Sequence, residues 1–323
     1  MKHLNNARLL VGVFYLAILS ACSTPQTSLL LQQRPSTLPP HLELTEVAYF
    51  PQEENQCGPA SLAMVLATAG LPIQPEQLKD ELYIPDRKGS LQVEMLAAAR
   101  RQGMLAYQLE PHLEYVLNEV AAGNPVIVLE NLSLQWFPMW HYAVVIGYDL
   151  DKQEIILRSG AERRDVMTLS TFEHTWSRSQ YWAMLALPLS RIPQTATPGN
   201  YIQSLQALGH SRPQASLQPA FEAALQRWPD DLAVQIAAGN EAYNRNDFAN
   251  AQRIFRIATS SHPDSAAAFN NLAQTLSDMG QYEEALRIIH QAVQIGGPLK
   301  SIIVATQAEI ERKKRAAEAA DVK

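Results

Sequence analysis

From about residue 200 onward the chain repeats itself every 34 positions, and that period is the strongest constraint it carries. Trp228-Pro-Asp and His262-Pro-Asp stand 34 residues apart; the same offset carries Phe248 onto Tyr282, Ala251 onto Ala285, Ala258 onto Ala292 and Gly239 onto Ala273. A period of this length is one helix–turn–helix unit, which cannot bury its apolar face alone and must stack on its neighbours. Two clear units run from about Leu232 to Gly297, and Phe221 and Ala224 precede Phe255 and Ala258 by the same offset, which predicts a degenerate first unit from about Asn200. The stretch after Pro298 reads as a charged helix that caps the stack and frays.

The period is the tetratricopeptide signature, so residues 200–298 are expected to form an all-α solenoid whose concave face takes a protein partner, with 299–323 as capping helix and tail. A Pro- and Thr-containing link, 191–199, separates it from what precedes. With 323 residues, 47% of them hydrophobic, the chain has material for a second core upstream. A net charge of -6 argues against the basic surface that nucleic-acid binders carry, and no nucleic-acid partner is expected.

The N-terminus has the order of an export signal: Lys2, His3 and Arg8, an apolar run from Leu9 to Ile18, then small residues. The run is too short to span a bilayer comfortably. Leu19-Ser20-Ala21-Cys22 resembles the lipobox of bacterial lipoproteins, which implies a signal peptide over 1–21 and a lipid-modified Cys22. Ser23, where an Asp would mark inner-membrane retention, favours the outer membrane, facing the periplasm. Two or three acyl chains would anchor the protein stably without spanning. Residues 22–43, rich in Pro, Ser, Thr and Gln with no helical or alternating period, read as a tether. If Cys22 carries lipid, Cys57, the other of the two cysteines, has no disulfide partner.

Between residues 44 and 190, helical patterns come first, over Gly58–Ala69, Pro75–Leu82, Leu91–Gln102 and His112–Ala122. Ser90 is the expected N-cap of the third, and Gly70, Gly103 and Gly123 stand at helix ends. Apolar runs of strand length follow at Pro125–Glu130, His141–Tyr148, Glu154–Arg158 and Tyr181–Leu187, the middle pair joined by a turn over Asp149–Gln153. Helices followed by a largely antiparallel sheet define an α+β domain.

Cys57 precedes Gly58, which permits close approach, and Pro59, which suits a first helical turn; Leu62, Val65, Leu66 and Ala69 form an apolar stripe. A thiol at that helix N-terminus meets unpaired N–H groups and the macrodipole, which favour the thiolate and predict a depressed pKa. His141, opening the strand HYAVVIGYD, is the best placed base. Trp136 and Trp140, with Phe137 and Met139, crowd the approach and are candidates to line a substrate groove. The remaining histidines show no metal-ligand spacing and there is no Gly-rich phosphate loop, so no metal or cofactor is expected.

Gln52-xxxx-Cys57-Gly-Pro-Ala-Ser-Leu-Ala-Met, followed some eighty residues later by His141-Tyr-Ala-Val-Val-Ile-Gly-Tyr-Asp, resembles the papain-like double-glycine peptidase domain of bacteriocin-processing proteins. The resemblance covers about residues 45–188. It implies a papain-like α+β fold with Cys57 as nucleophile and His141 as general base and later acid. It also implies Gln52 as the oxyanion-hole glutamine, with Gln56 a weaker candidate. In that family an Asp or Asn on the next strand orients the imidazole; here the segment is EIILRSG, and the corresponding place holds Ser159. Serine can accept a hydrogen bond from the ring but cannot stabilise an imidazolium as a carboxylate does.

The expected activity is that of a membrane-anchored thiol peptidase acting on a peptide or protein substrate, with the repeats recruiting a partner. A Cys–His amidase or acyltransferase is the nearest enzymatic alternative. A catalytically silent binding module is the alternative favoured by Ser159.

Overall fold

The structure is a computed structural model that describes residues 24–52, 56–85 and 89–321. Residues 1–21, expected to be a signal peptide, and Cys22 lie outside the described residues. Contacts divide the chain into two units, changing over within residues 189–196.

The first unit runs α1 (Pro25–Gln32), β1 (His41–Glu43), α2 (Cys57–Thr68), α3 (Pro75–Leu82), α4 (Gln92–Arg101), β2 (Leu105–Gln108), α5 (Leu113–Ala121), β3 (Val126–Asn131), β4 (Trp140–Asp149), β5 (Glu154–Ser159), β6 (Glu162–Thr168), α6 (Leu169–Ser177) and β7 (Ala183–Leu187). The strands form one antiparallel sheet in the order β2-β7-β3-β4-β5-β6. β4 is long enough to pair with β3 along its first half, while β1 pairs with its far end, Leu42 opposite Tyr148.

Helix α2 has a short apolar sequence without a polar face, and Gly58 through Leu66 are all buried. A helix apolar all round must be covered on every side. It packs on α3, α4 and the sheet, where Leu62, Val65 and Leu66 meet Ile127, Val144, Ile146 and Met184 in one core. The expected stripe is thus part of a helix buried on all sides from Gly58 to Leu66, with Ala69 just past its half-exposed end. Glycines 70, 103 and 123 follow helices in the left-handed region, at φ 93°, 81° and 83°.

Five elements were not legible in the sequence. The segment read as a tether contains α1 and β1, and α1 is docked: the Glu173 carboxylate accepts from the backbone N–H groups of Gln26 (3.0 Å) and Thr27 (2.6 Å), and Leu30 is buried. The expected N-cap role of Ser90 is not realised, since Leu91 takes the cap position without a side-chain bond. Ser90 instead lies against Gly58, where a Cβ would stand 2.4 Å from its Oγ. Strand β2, and β6 with α6, lie in stretches to which the sequence reading assigned no element. The polar sequence of β6, Glu-Arg-Arg-Asp-Val-Met-Thr, is that of an exposed outer strand.

The second unit is all helical: α7 (Pro198–Ser211), α8 (Gln218–Arg227), α9 (Leu232–Asn244), α10 (Phe248–Ser261), α11 (Ala266–Asp278), α12 (Tyr282–Ile295) and α13 (Lys300–Asp321). Sequential helices pack as neighbours from α8 onward. The repeated alanines 251, 258, 285 and 292 are buried at the seams, and Asp231, Asp247 and Ser265 cap their helices through side-chain oxygens. Gly239 is required by packing: a Cβ there would meet the Phe255 ring at 2.4 Å.

Candidate active site

Cys57 is the first residue of α2, half-buried, and unbridged among the described residues. It lines an open cleft of about 1010 Å³ together with Gln52, His141, Tyr142, Trp140 and Gly160. Buried α2 fixes the sulfur, and β4 brings His141 to the same cleft from the sheet.

Burial pushes the Cys57 thiol up from the ordinary cysteine value. The backbone N–H groups of Tyr142, Gly58 and Cys57 itself oppose this without overcoming it. This corrects the expectation of a depressed thiol: the helix N-terminus supplies its donors, but a site enclosed by sheet and helices removes more hydration than those donors return. Burial also lowers the His141 pKa, opposed by the negative charge of Asp165. Both shifts favour a resting pair of neutral thiol and neutral imidazole.

His141 Nε2 lies 3.0 Å from Ser159 Oγ. With Nε2–H donating to that hydroxyl, Nδ1 carries the lone pair that can take a proton. Ser159 therefore occupies the place expected of it, at the end of β5 beside the ring.

Gln52 is held more tightly than the sequence suggests. Its Nε2 donates to the Tyr142 carbonyl (3.1 Å) and to Ser61 Oγ (3.2 Å), its Oε1 accepts from Gly160 N–H (3.0 Å), and its own N–H donates to the Gly160 carbonyl (3.0 Å). These bonds tie the segment before α2 to β4 and to the turn after β5. Both side-chain amide hydrogens are engaged in this arrangement, so donation to an oxyanion requires the weaker bond, to Ser61, to be exchanged.

The two tryptophans separate. Trp140 and Met139 line the cleft, whereas Trp136 is 81% exposed and not part of its lining. The loop carrying Trp136 has an ordered base: Asn131 Oδ1 accepts from Ser133 and Met139 N–H, and Arg178 binds the carbonyls of Asn131 and Ser133 at 2.8 and 2.6 Å.

Three site residues escaped the sequence reading. Ser61 and Gly160 anchor Gln52, and Glu130 lies directly across from His141 in the β3–β4 register. Glu130 is buried, with Thr175 Oγ1 donating to Oε1 at 2.6 Å and Oε2 without a partner. Burial and the nearby Asp165 raise its pKa to about 7. Only the strand register could have revealed it. Among the described residues no group of three or more His, Cys, Asp or Glu side chains is arranged to hold a metal ion.

Comparison with known proteins agrees with this division. Residues 44–184 match the Peptidase_C39 like family, and residues 265–296 match the tetratricopeptide repeat. A TPR repeat-containing protein of Pseudomonas aeruginosa is 31% identical over 93 residues, covering 28% of this chain and 16% of that protein's length. Among solved structures, a C39-like peptidase from Bacillus anthracis is 19% identical, covering 46% of this chain and 97% of its own, with a TM-score of 0.39. The peptidase domain of Streptococcus ComA, described as a bi-functional ABC transporter involved in a quorum sensing pathway, is 20% identical, covering 44% and 99%, with a TM-score of 0.37. The first unit thus has a C39-like peptidase fold, of N-terminal helices and an antiparallel sheet, and a helical tetratricopeptide region follows it.

Proposed function

We propose that the protein is a thiol peptidase using the Cys–His machinery of the double-glycine peptidases, with Cys57 as nucleophile and His141 as base and acid. The observation that carries this reading is the shared cleft: a thiol at the mouth of a buried helix and an imidazole whose far nitrogen is already held by Ser159. His141 Nδ1 takes the thiol proton as Sγ attacks the peptide carbonyl. The tetrahedral oxygen is met by the Cys57 N–H and by Gln52 Nε2 once it leaves Ser61. Collapse breaks the C–N bond, and His141 returns its proton to the departing amine. Water, deprotonated by His141, then hydrolyses the thioester and restores the thiol.

The helical repeats recruit a protein substrate or partner. Lipid on Cys22 holds the protein at the outer membrane facing the periplasm. Among the described residues no helix is long and apolar enough to cross a membrane. Incubation with a proteome-derived peptide mixture tests the activity. New peptide ends should form, together with an acyl adduct on Cys57, and both should vanish in Cys57→Ala. A second reading, a silent binding module, is favoured by the serine at 159; an untouched mixture and no adduct would support it.

A further inference from the structure

Three strands bring polar side chains to one face of the sheet beside the catalytic ring. Glu130 on β3 is the register partner of His141, so the two share a face. On the other side of β4, Val145 pairs with Leu157, and alternation along both strands puts Ser159 on the face of His141, as their 3.0 Å contact requires. Leu157 pairs in turn with Asp165 on β6, which brings Asp165 to that same face beside Leu157; past a register shift, the exposed Glu162 is the partner of Ser159 itself.

The charges on this face are unequal. Glu130 is almost wholly buried, bonded through one oxygen to Thr175 of α6, and raised to about 7 by burial and by Asp165. Below that pH it keeps its proton and offers no negative charge to an imidazolium. Asp165 is half-buried. Its field favours the protonated form of His141. Arg178, the cation lining the cleft, is committed to the Asn131 and Ser133 carbonyls.

We propose that Asp165 is a positioning residue for His141, supplying from β6 the negative charge that the serine at position 159 lacks. The work of one carboxylate is then divided between two side chains on adjacent strands: the Ser159 hydroxyl fixes the ring's orientation, and Asp165 stabilises the imidazolium formed when Cys57 gives up its proton. This inference rests on the thiol-peptidase reading.

The test follows the His141 ring titration by NMR and the alkylation of Cys57 by iodoacetamide, mapped by peptide, in the full chain. Asp165→Asn, on a half-exposed outer strand, should move the His141 midpoint to lower pH and slow alkylation near neutral pH about three- to tenfold. Asp165→Glu should retain most of both. Adding Ser159→Asp to Asp165→Asn should restore them. An unchanged midpoint and rate in Asp165→Asn, with His141→Ala still slow, would overturn the proposal, as would an equal loss in Glu130→Gln with none in Asp165→Asn. If His141→Ala itself left alkylation unchanged, the peptidase reading would fall, and the NMR midpoint would still decide whether Asp165 acts on the ring.

Discussion

The two units are held together by different kinds of contact. In the helical unit the seams are small and apolar and recur with the repeat: Ala251 and Ala285, Ala258 and Ala292, with Phe255 seated against Gly239. In the peptidase-like unit, single polar residues reach across long stretches of chain. Arg158 donates to the carbonyls of Thr45, Val47 and Arg163, Glu173 holds the first turn of α1, Glu119 accepts from Thr195, and Gln52 ties Tyr142 to Gly160. A repeated apolar seam tolerates graded change in volume. A buried polar hub fails at once, because its loss strands every partner it served.

That contrast sets the order of the expected effects. Arg158→Met should be the most damaging, at about 3–4 kcal/mol, because it strips three backbone carbonyls of their donor in a site that is 3% exposed. Chemical denaturation followed by tryptophan fluorescence measures it; a cost below about 1 kcal/mol would mean that water replaces the guanidinium without penalty. Gly239→Val should cost about 1–3 kcal/mol, since Phe255 must move to admit the side chain. Pairing it with Phe255→Leu should recover part of the loss, and no recovery would show that the clash is not with that ring.

A smaller effect distinguishes the units by pH. The folded-state pKa of His141 is depressed, so its contribution to the stability of the first unit is fully present above the unfolded value of about 6.5 and is lost as pH falls through the folded value. The Cys57 pKa is raised, so its contribution is full below about 8.5 and is lost as pH rises through the folded value. Melting curves in Cys57→Ala and His141→Ala should accordingly be flatter at the alkaline and acid ends, respectively. Equal slopes in wild type and variants would contradict the burial of the pair.

The same contrast explains what the sequence disclosed. A period of 34 is visible without any structure, and so were α2 and β4, whose apolar runs place Cys57 and His141 at their starts. Ser159 was reached through the family resemblance, which places the ring's partner on the strand after the histidine strand. Register was not legible: nothing in the run Glu162–Thr168 marks it as a strand, so Asp165 could not be placed beside the ring, nor Glu130 across from it. Helix α1 was hidden because its anchor, Glu173, lies 146 residues beyond Thr27. The direction of the Cys57 shift was misjudged for a related reason, since a helix terminus is a local feature while burial depends on the whole enclosing fold.

The central claim is that Cys57 and His141 act as one unit, with the imidazole taking the proton as the sulfur attacks. The most direct test is the rate of Cys57 alkylation between pH 5 and 9 in wild type and in His141→Ala. At pH 7 the wild-type thiol should react at least about tenfold faster than the variant, on a curve with an acid limb that reports His141. Superimposable curves, each rising through a single thiol titration, would contradict it.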